Sequence, residues 1–437
     1  MTNPVHVIRP QDTTPPAPGF WTLASVEGWE RFAIQGAKSL LTLFLVTDLL
    51  AGGGAVMGLS TLRAGIESVT GAHGDIAFAS QLYGLYGALT YLVLPLGGWI
   101  ADRSGRRRGA MYGGAVLMTL GLLALASRSW ALAGLALLIG GIGLLKGNLA
   151  AEVGALRGAA RGERMFAGYL AFLNGGAMLG PLIGGWLALR FGFPAAFVAM
   201  AGSMIAAILI LRSAPPVPVA ITPAAAPRTT DWRRVIPAIT AVTLCFCAYE
   251  QLNNMVLLWA EAHVDLTLGG RAVPPNWLAA ADGLFTIALA LLAYRLWPRL
   301  AREPSAAHKL AAGGVAMALA YALLAWFSRG GAMIGLGGPL CAVLLLSLGV
   351  VLSWPSALAI VAAAAPPSRR GLMTGLFYLH GFVAHLVVGE LGALYPRMVQ
   401  PHFWAIHAAL ALAGTGVALL IPRGQATTTS TPASASA

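Results

Sequence analysis

Gly98-Trp99-Ile100-Ala101-Asp102-Arg103-Ser104-Gly105-Arg106-Arg107 joins two long apolar runs, 77–100 and 109–127. A carboxylate at a helix end beside arginines, with glycine to make a tight turn, can latch neighbouring helices in one state. A basic loop that only set topology would account for the arginines but not for the ordered Gly98, Asp102 and Gly105. The stretch therefore reads as a conformational latch formed by Gly98, Asp102, Arg103, Gly105 and Arg106.

The two flanking runs are members of a set of twelve, at 20–47, 77–100, 109–127, 130–153, 165–188, 193–211, 235–260, 277–296, 307–327, 333–363, 371–394 and 402–421. Each is long enough to cross a hydrocarbon core of about 30 Å. Only 10% of the 437 residues are charged and 57% are hydrophobic, with a mean hydropathy of +0.74. So few charges cannot cover a soluble surface of this size. With the N-terminus in the cytoplasm, nineteen loop and terminal Arg or Lys residues fall inside and six outside (Arg63, Arg128, Arg190, Arg271, Arg329 and Arg397). That bias satisfies the positive-inside rule and places both termini in the cytoplasm. It also explains the net charge of +12 without a nucleic-acid partner, because the arginines are spread over separate loops.

The proline-rich residues 1–19 read as a disordered cytoplasmic leader and not as a signal peptide. Residues 213–232, with Pro215, Pro216, Pro218, Pro223 and Pro227, read as a cytoplasmic linker between bundles at 20–212 and 233–421. Residues 422–437, rich in Thr, Ser and Ala, are expected to be a disordered tail. Cys245, Cys247 and Cys341 lie in apolar runs and read as small core residues, with no metal spacing and no disulfide framework. No nucleotide-binding loop, nucleophile elbow or metal-ligand string is present, so the chain is not read as an enzyme and no cofactor is expected beyond an ion gradient.

Six segments, a cytoplasmic linker and six more segments are the layout of the major facilitator superfamily, and the Gly98–Arg107 stretch resembles that superfamily's Gly-x-x-x-Asp-Arg-x-Gly-Arg-Arg loop. The resemblance implies an all-α membrane fold of twelve transmembrane helices in two six-helix bundles that rock about a site near the bilayer midplane.

Glu27-Gly28-Trp29-Glu30-Arg31-Phe32, inside the first apolar run, narrows the family. An uncompensated charge at the centre of a membrane helix costs about 2.5–3.5 kcal/mol, and such groups usually face a cavity and act there. At about 100° per residue Glu27, Arg31 and Lys38 fall within about 40° of one another, with Glu30 at the flank. With Gly36, this segment looks like the Glu-x-x-Glu-Arg-Phe-x-Tyr-Tyr-Gly signature of the proton-dependent oligopeptide transporters. Gly141-x-Gly143-x-x-Lys146-Gly147-Asn148 is similar to that family's fourth-helix run, and Tyr169-x-x-Phe172-Leu173-Asn174-x-Gly176 resembles its fifth in weakened form. Tyr91 falls where the second helix of the family carries a pocket tyrosine. Looser matches at Tyr249-Glu250-Gln251, Asp282-Gly-Leu-Phe285 and Trp354-Pro355 extend the resemblance over nearly the whole chain.

Chemistry assigns roles beside the resemblance. Glu27 and Glu30 are candidate proton carriers, since burial disfavours a carboxylate and a nearby Arg31 or Lys146 favours it. A static buried ion pair is the competing reading, and desolvation makes such pairs weak sources of stability. Arg31 offers a planar fork for a substrate carboxylate and Lys146, read as an unpaired cation, a point charge to assist it. Glu250, mid-segment, is a second protonation site or an amine partner. The resemblance implies a salt bridge between the first and seventh helices that closes the outer mouth, taken here as Lys38 with Glu261; two snorkelling charges are the alternative. Glu390 is a candidate partner of Arg397 near the outer surface. His380 and His385, about 140° apart on one helix, suit no shared metal and read as interhelical hydrogen-bonding residues.

Departures from the family concern the substrate. Ile34 and Gln35 stand where two tyrosines are usual, and Val350 stands where the tenth helix usually has a glutamate expected to take the substrate's amine. Asp282 replaces the usual Asn and could supply that carboxylate; otherwise it is a polar residue near a helix start. Trp354 replaces the usual Ser and would narrow the site. The substrate-binding set is therefore Arg31, Gln35, Tyr91, Lys146, Asn174, Glu250, Asp282 and Trp354.

The leading function is proton symport of di- or tripeptides or peptide-like zwitterions, by a monomer in contact with lipid in a bacterial inner membrane. A same-fold carrier for an organic anion, amino-acid derivative or drug-like compound is the alternative that Val350 favours, and a non-transporting sensor or scaffold is the third.

Overall fold

The computed structural model describes residues 19–53, 55–159, 163–215, 229–301, 303–366 and 370–422. The leader up to 18, the middle of the linker at 216–228 and the tail after 422 lie outside the described residues. In chain order the helices are α1 Phe20–Phe44, α2 Leu59–Thr70, α3 Asp75–Ser104, α4 Arg107–Leu125, α5 Ala131–Ala159, α6 Glu163–Phe191, α7 Phe193–Ser213, α8 Trp232–Tyr249, α9 Met255–His263, α10 Asn276–Leu296, α11 Ala306–Phe327, α12 Gly337–Ala364, α13 Arg370–Ala393 and α14 Gln400–Leu419. Twelve spans are long and apolar enough to cross a membrane. They match the twelve apolar runs, with α8 and α9 together making the seventh crossing.

Two six-helix bundles result. In the first, α1 packs on α6 and α7, and α5 on α3 and α4; in the second, α11 packs on α12 and α14, and α8 on α12, α13 and α14. The bundles meet along two seams, α3 against α13 and α6 against α10. In hydrocarbon, helix association relies on close packing rather than on expulsion of water, so small residues sit where backbones cross. A Cβ added to Gly176 would stand 2.1 Å from the Gly28 carbonyl oxygen, and one on Gly97 1.9 Å from that of Gly143. The first crossing draws α6 onto α1 and the second draws α5 onto α3, which is how glycines of the sequence motifs position the charged residues between them.

Two features departed from the expected helices. The run read as one helix over 235–260 breaks: α8 ends at Tyr249, Glu250–Asn253 form a 3-10 turn, and α9 begins at Met255. Asn253 and Asn254 are poor helix formers, and freed carbonyls here find side-chain donors. Tyr83 donates to the Glu250 carbonyl at 3.4 Å and Tyr321 to that of Ala248. The second is α2, between Gly58 and Gly71, both with positive φ; Leu59, Leu62 and Ile66 rest on the first bundle's core. Small strands follow α9 and precede α12: Val264–Asp265 pairs in parallel with Ile334–Gly335, and Thr267–Leu268 with Arg271–Ala272 across Gly269-Gly270.

Candidate functional site

The charged ladder of α1 divides into two clusters. Near its N-terminal half Glu27 and Glu30 are buried, and Tyr169 of α6 donates to Glu27 Oε2 at 2.6 Å. Glu30 faces Lys146 of α5 at 3.4 Å and Arg31 at 3.8 Å. Lys146 is thus not the unpaired cation expected, since from α5 it reaches Glu30 of α1. Arg31 and Lys146 keep side-chain exposures of 26% and 23% although both sit deep in the fold. Arg31 Nε has no hydrogen-bond partner and Glu30 Oε2 none. This end of the site holds two partly exposed cations with spare donors, suited to a carboxylate ligand.

The second cluster lies three turns further along α1, where Lys38 Nζ meets Glu250 Oε2 at 2.5 Å. The pairing corrects the expected Lys38–Glu261 gate. Glu261 lies on α9 beyond the break, is exposed, and makes no ion pair among the described residues. The 3-10 turn instead presents Glu250 to α1, so the ion pair between first and seventh crossings exists with a different acid. His385 Nε2 of α13 stands 3.5 Å from the same Glu250 oxygen and Tyr83 Oη of α3 3.5 Å from it. Tyr91 of α3 is half-buried, its ring 5.3 Å from that of His385 and 6.3 Å from that of His380.

Asp282 lies six residues into α10, past its first turn, so a place near the helix start does not account for it. It is buried and accepts from Tyr249 at 2.7 Å and from Ser347 of α12 at 2.7 Å. These donors hold a carboxylate in the second bundle without supplying a cation. Val350 packs among apolar residues of that bundle. Trp354 lies edge-on to Phe377, with ring centres 5.7 Å apart. Gln35 and Asn174 are half-buried on α1 and α6.

Beyond Lys38, polar groups tie the bundles together at the end away from the termini. Thr42 donates to Asn254 at 2.9 Å, Asn254 to Ser80 at 2.8 Å, and Ser80 to the Gly389 carbonyl at 2.9 Å. Asn276 donates to the Ser39 carbonyl at 2.6 Å and Trp277 to that of Leu182 at 3.1 Å. Glu390 accepts from Gln81 at 3.2 Å, across the seam, and does not pair with Arg397 as expected.

At the opposite end the latch is rearranged. Asp102 pairs with Arg107 at 2.6 Å, within its own loop, rather than with Arg103 or Arg106. Gly105 takes φ 63°, which the tight turn requires, while a Cβ on Gly98 would meet open space. Arg103 lies over the Trp99 ring, and no ion pair is recorded for it or for Arg106 among the described residues. The contact that binds neighbouring helices comes from Arg108, absent from the expected set: it faces Glu152 of α5 at 3.7 Å and donates to the Ala214 and Pro215 carbonyls after α7. Arg107 holds the loop, and Arg108, one residue on, reaches the other two helices.

Sequence reasoning also missed His385, Tyr83 and Ser347 as neighbours of the buried acids. His380 and His385 were expected to bond between helices, yet each Nδ1 bonds a carbonyl of its own helix, Phe377 at 2.5 Å and Gly381 at 2.8 Å. A histidine in an apolar run and a Ser80-Gln81 pair beside Tyr83 were the available signals. No group of three or more metal-ligating side chains occurs among the described residues.

Residues 49–389 match the family model described as Major Facilitator Superfamily. The chain is 25% identical over 454 residues to the peptide transporter YePEPT of Yersinia enterocolitica, covering 84% of this chain and 85% of that one. It is 24% identical over 485 residues to a di-/tripeptide transporter of Lactococcus lactis subsp. cremoris, covering 92% and 94%. Among solved structures it resembles a peptide transporter POT in complex with sulfate, with a TM-score of 0.77 at 22% identity, over 92% of this chain and 94% of that one. These likenesses agree with the resemblance carried by the first- and fourth-helix motifs.

Proposed function

The chain belongs to the Major Facilitator Superfamily, and from its buried charges we propose that it is a proton-coupled symporter importing di- and tripeptides or peptide-like zwitterions by alternating access. The observation that carries the reading is the Lys38–Glu250 pair, a buried acid held by a base of the opposite bundle. A proton taken up at Glu250 offsets the charge that holds Lys38, and the bundles lose their central tie. Opening at that end is thereby linked to proton uptake.

Arg31 and Lys146 take the substrate carboxylate. Once they turn to it, Glu30 loses its counter-charges and becomes free to bind a proton of its own. Asp282, held by Tyr249 and Ser347, receives the amine across the site. With the orientation that the positive-inside bias favours, the polar ties beyond Lys38 lie on the outer face and hold the bundles together there. On this reading it is a monomer of the bacterial inner membrane, in keeping with the bacterial sources of its relatives. One observation favours instead a non-peptide solute such as an organic anion, amino-acid derivative or drug-like compound: Val350 leaves α12 without an acid at the amine end.

The test is uptake of a labelled dipeptide into proteoliposomes with the outside acidic. Accumulation above equilibrium supports the proposal; proton movement with other solutes only, or with none, sinks the peptide reading. Asp282→Asn is expected to weaken free-amine peptides about 10- to 100-fold, the worth of one charged hydrogen bond, while sparing N-acetylated ones. Competition of both peptide types against a common label checks it, and equal loss for both removes Asp282 from the amine end.

A further inference from the structure

The role of His385 goes beyond that proposal and rests on its symport reading. The ring is 1% exposed, and its Nδ1 lies 2.8 Å from the Gly381 carbonyl oxygen. A carbonyl only accepts, so Nδ1 carries the hydrogen. In the neutral ring the other nitrogen then presents a lone pair. That nitrogen, Nε2, has no hydrogen-bond partner and points at Glu250 Oε2 from 3.5 Å. Two lone pairs facing one another in a buried site repel. One proton between them converts the contact into a charge-assisted hydrogen bond.

We propose that His385 holds the transported proton together with Glu250, and that the proton's arrival moves the contact of Glu250 from Lys38 in the opposite bundle to His385 in its own. A hydrated proton from the outer aqueous phase forms the Nε2–H bond and the ring gains a positive charge. On release to the cytoplasmic side the same bond breaks and the ring returns to neutral. Lys38 keeps its own protons throughout, so the trio goes from zero net charge to +1 and back, with no electron transfer.

The surroundings fit this role. Lys38 reaches Glu250 from α1 at 2.5 Å and Tyr83 from α3 at 3.5 Å, so the two bases and the phenol converge on one oxygen. The Tyr91 ring of α3 lies 5.3 Å from that of His385. His380, the other histidine of α13, is turned to the Phe377 carbonyl and the Phe246 ring. A Cβ on Gly87 of α3 would stand 1.9 Å from His385 Cδ2, so the ring is seated in the seam between bundles. A charge gained there lies where the bundles part.

Nitrogen-15 NMR of histidine-labelled full-length protein in nanodiscs tests the proton directly, with the signal assigned by its loss in His385→Gln, or in His385→Asn if the first variant does not fold. The Nε2 resonance is expected to pass from the unprotonated to the protonated range as pH falls from about 8 to about 5. In Glu250→Gln it should stay unprotonated, because the carboxamide N–H can donate to the lone pair. A wild-type Nε2 that never gains a proton, or one whose titration is unchanged in Glu250→Gln, overturns the proposal. In proteoliposomes His385→Gln should lose about tenfold or more of proton-driven dipeptide uptake while counterflow exchange stays within about twofold. Driven uptake with an unaltered pH profile overturns it as well. The NMR readout needs no substrate: a protein that moves no peptide yet shows the Glu250-dependent titration retains this inference and loses only the peptide reading.

Discussion

Glu250→Ala is expected to abolish proton-driven accumulation and to lower stability by about 3–5 kcal/mol, the cost of stripping one partner from a buried ion pair. The loss comes less from the missing attraction than from the Lys38 ammonium left behind. Its side chain is 13% exposed and, among the described residues, has Glu250 as its one ion-pair partner. Removing that charge too should restore most of the stability: Lys38→Met with Glu250→Ala leaves no unpaired ammonium between the bundles. Coupling should not return, because no ion pair among the described residues then links the bundles. Thermal unfolding in detergent and uptake in proteoliposomes separate the two readouts in a double-mutant cycle. A double variant that stays as unstable as Glu250→Ala would show that the acid holds the broken helix at the α8–α9 junction rather than neutralising Lys38. Recovered coupling in that variant would move the proton site elsewhere.

The twelve crossings were legible because each is a run of apolar residues near bilayer length, a signal that depends on no partner. The break in the seventh was not, since Asn253-Asn254 announces a weak helix only when a neighbour such as Tyr83 can take up the freed backbone group. Helix α2 escaped for the opposite reason: Leu59, Leu62 and Ile66 form an apolar face of only twelve residues' length, below any transmembrane threshold. At the site, a helical projection was enough to place Glu27, Glu30, Arg31 and Lys38 on one face of α1. Pairing across helices was a different matter. Lys38 could reach either acid of the seventh crossing, and the choice between Glu250 and Glu261 is made by a local 3-10 turn that no periodicity reveals. The latch failed by one residue in the same way, because whether Arg107 or Arg108 faces α5 depends on how the Gly105 turn winds into α4.

Gly84→Val is expected to raise maleimide labelling of a Thr42→Cys reporter about 5- to 100-fold in a background lacking Cys341, the exposed native cysteine, with dipeptide uptake falling in step. A Cβ on Gly84 of α3 would stand 2.6 Å from the Gly389 Cα and 2.6 Å from the His385 carbonyl oxygen of α13. Both obstacles are backbone, so no rotamer change relieves the overlap. Overpacking of this kind costs about 1–3 kcal/mol. Such a cost is smaller than the about 5.5 kcal/mol needed to reverse a 1:99 equilibrium, so the closed state is weakened rather than removed. Relief is available by one rigid movement, separation of α3 from α13, which also parts Ser80 from Gly389 and Thr42 from Asn254. The open state should therefore gain by the whole of the strain, and the labelling rate should follow its population. Gly113→Ala, whose Cβ meets open space, controls for the loss of a glycine. If Gly84→Val lowers the unfolding temperature without raising Thr42→Cys labelling, the seam yields by local unfolding, and α3 and α13 do not part as rigid bodies.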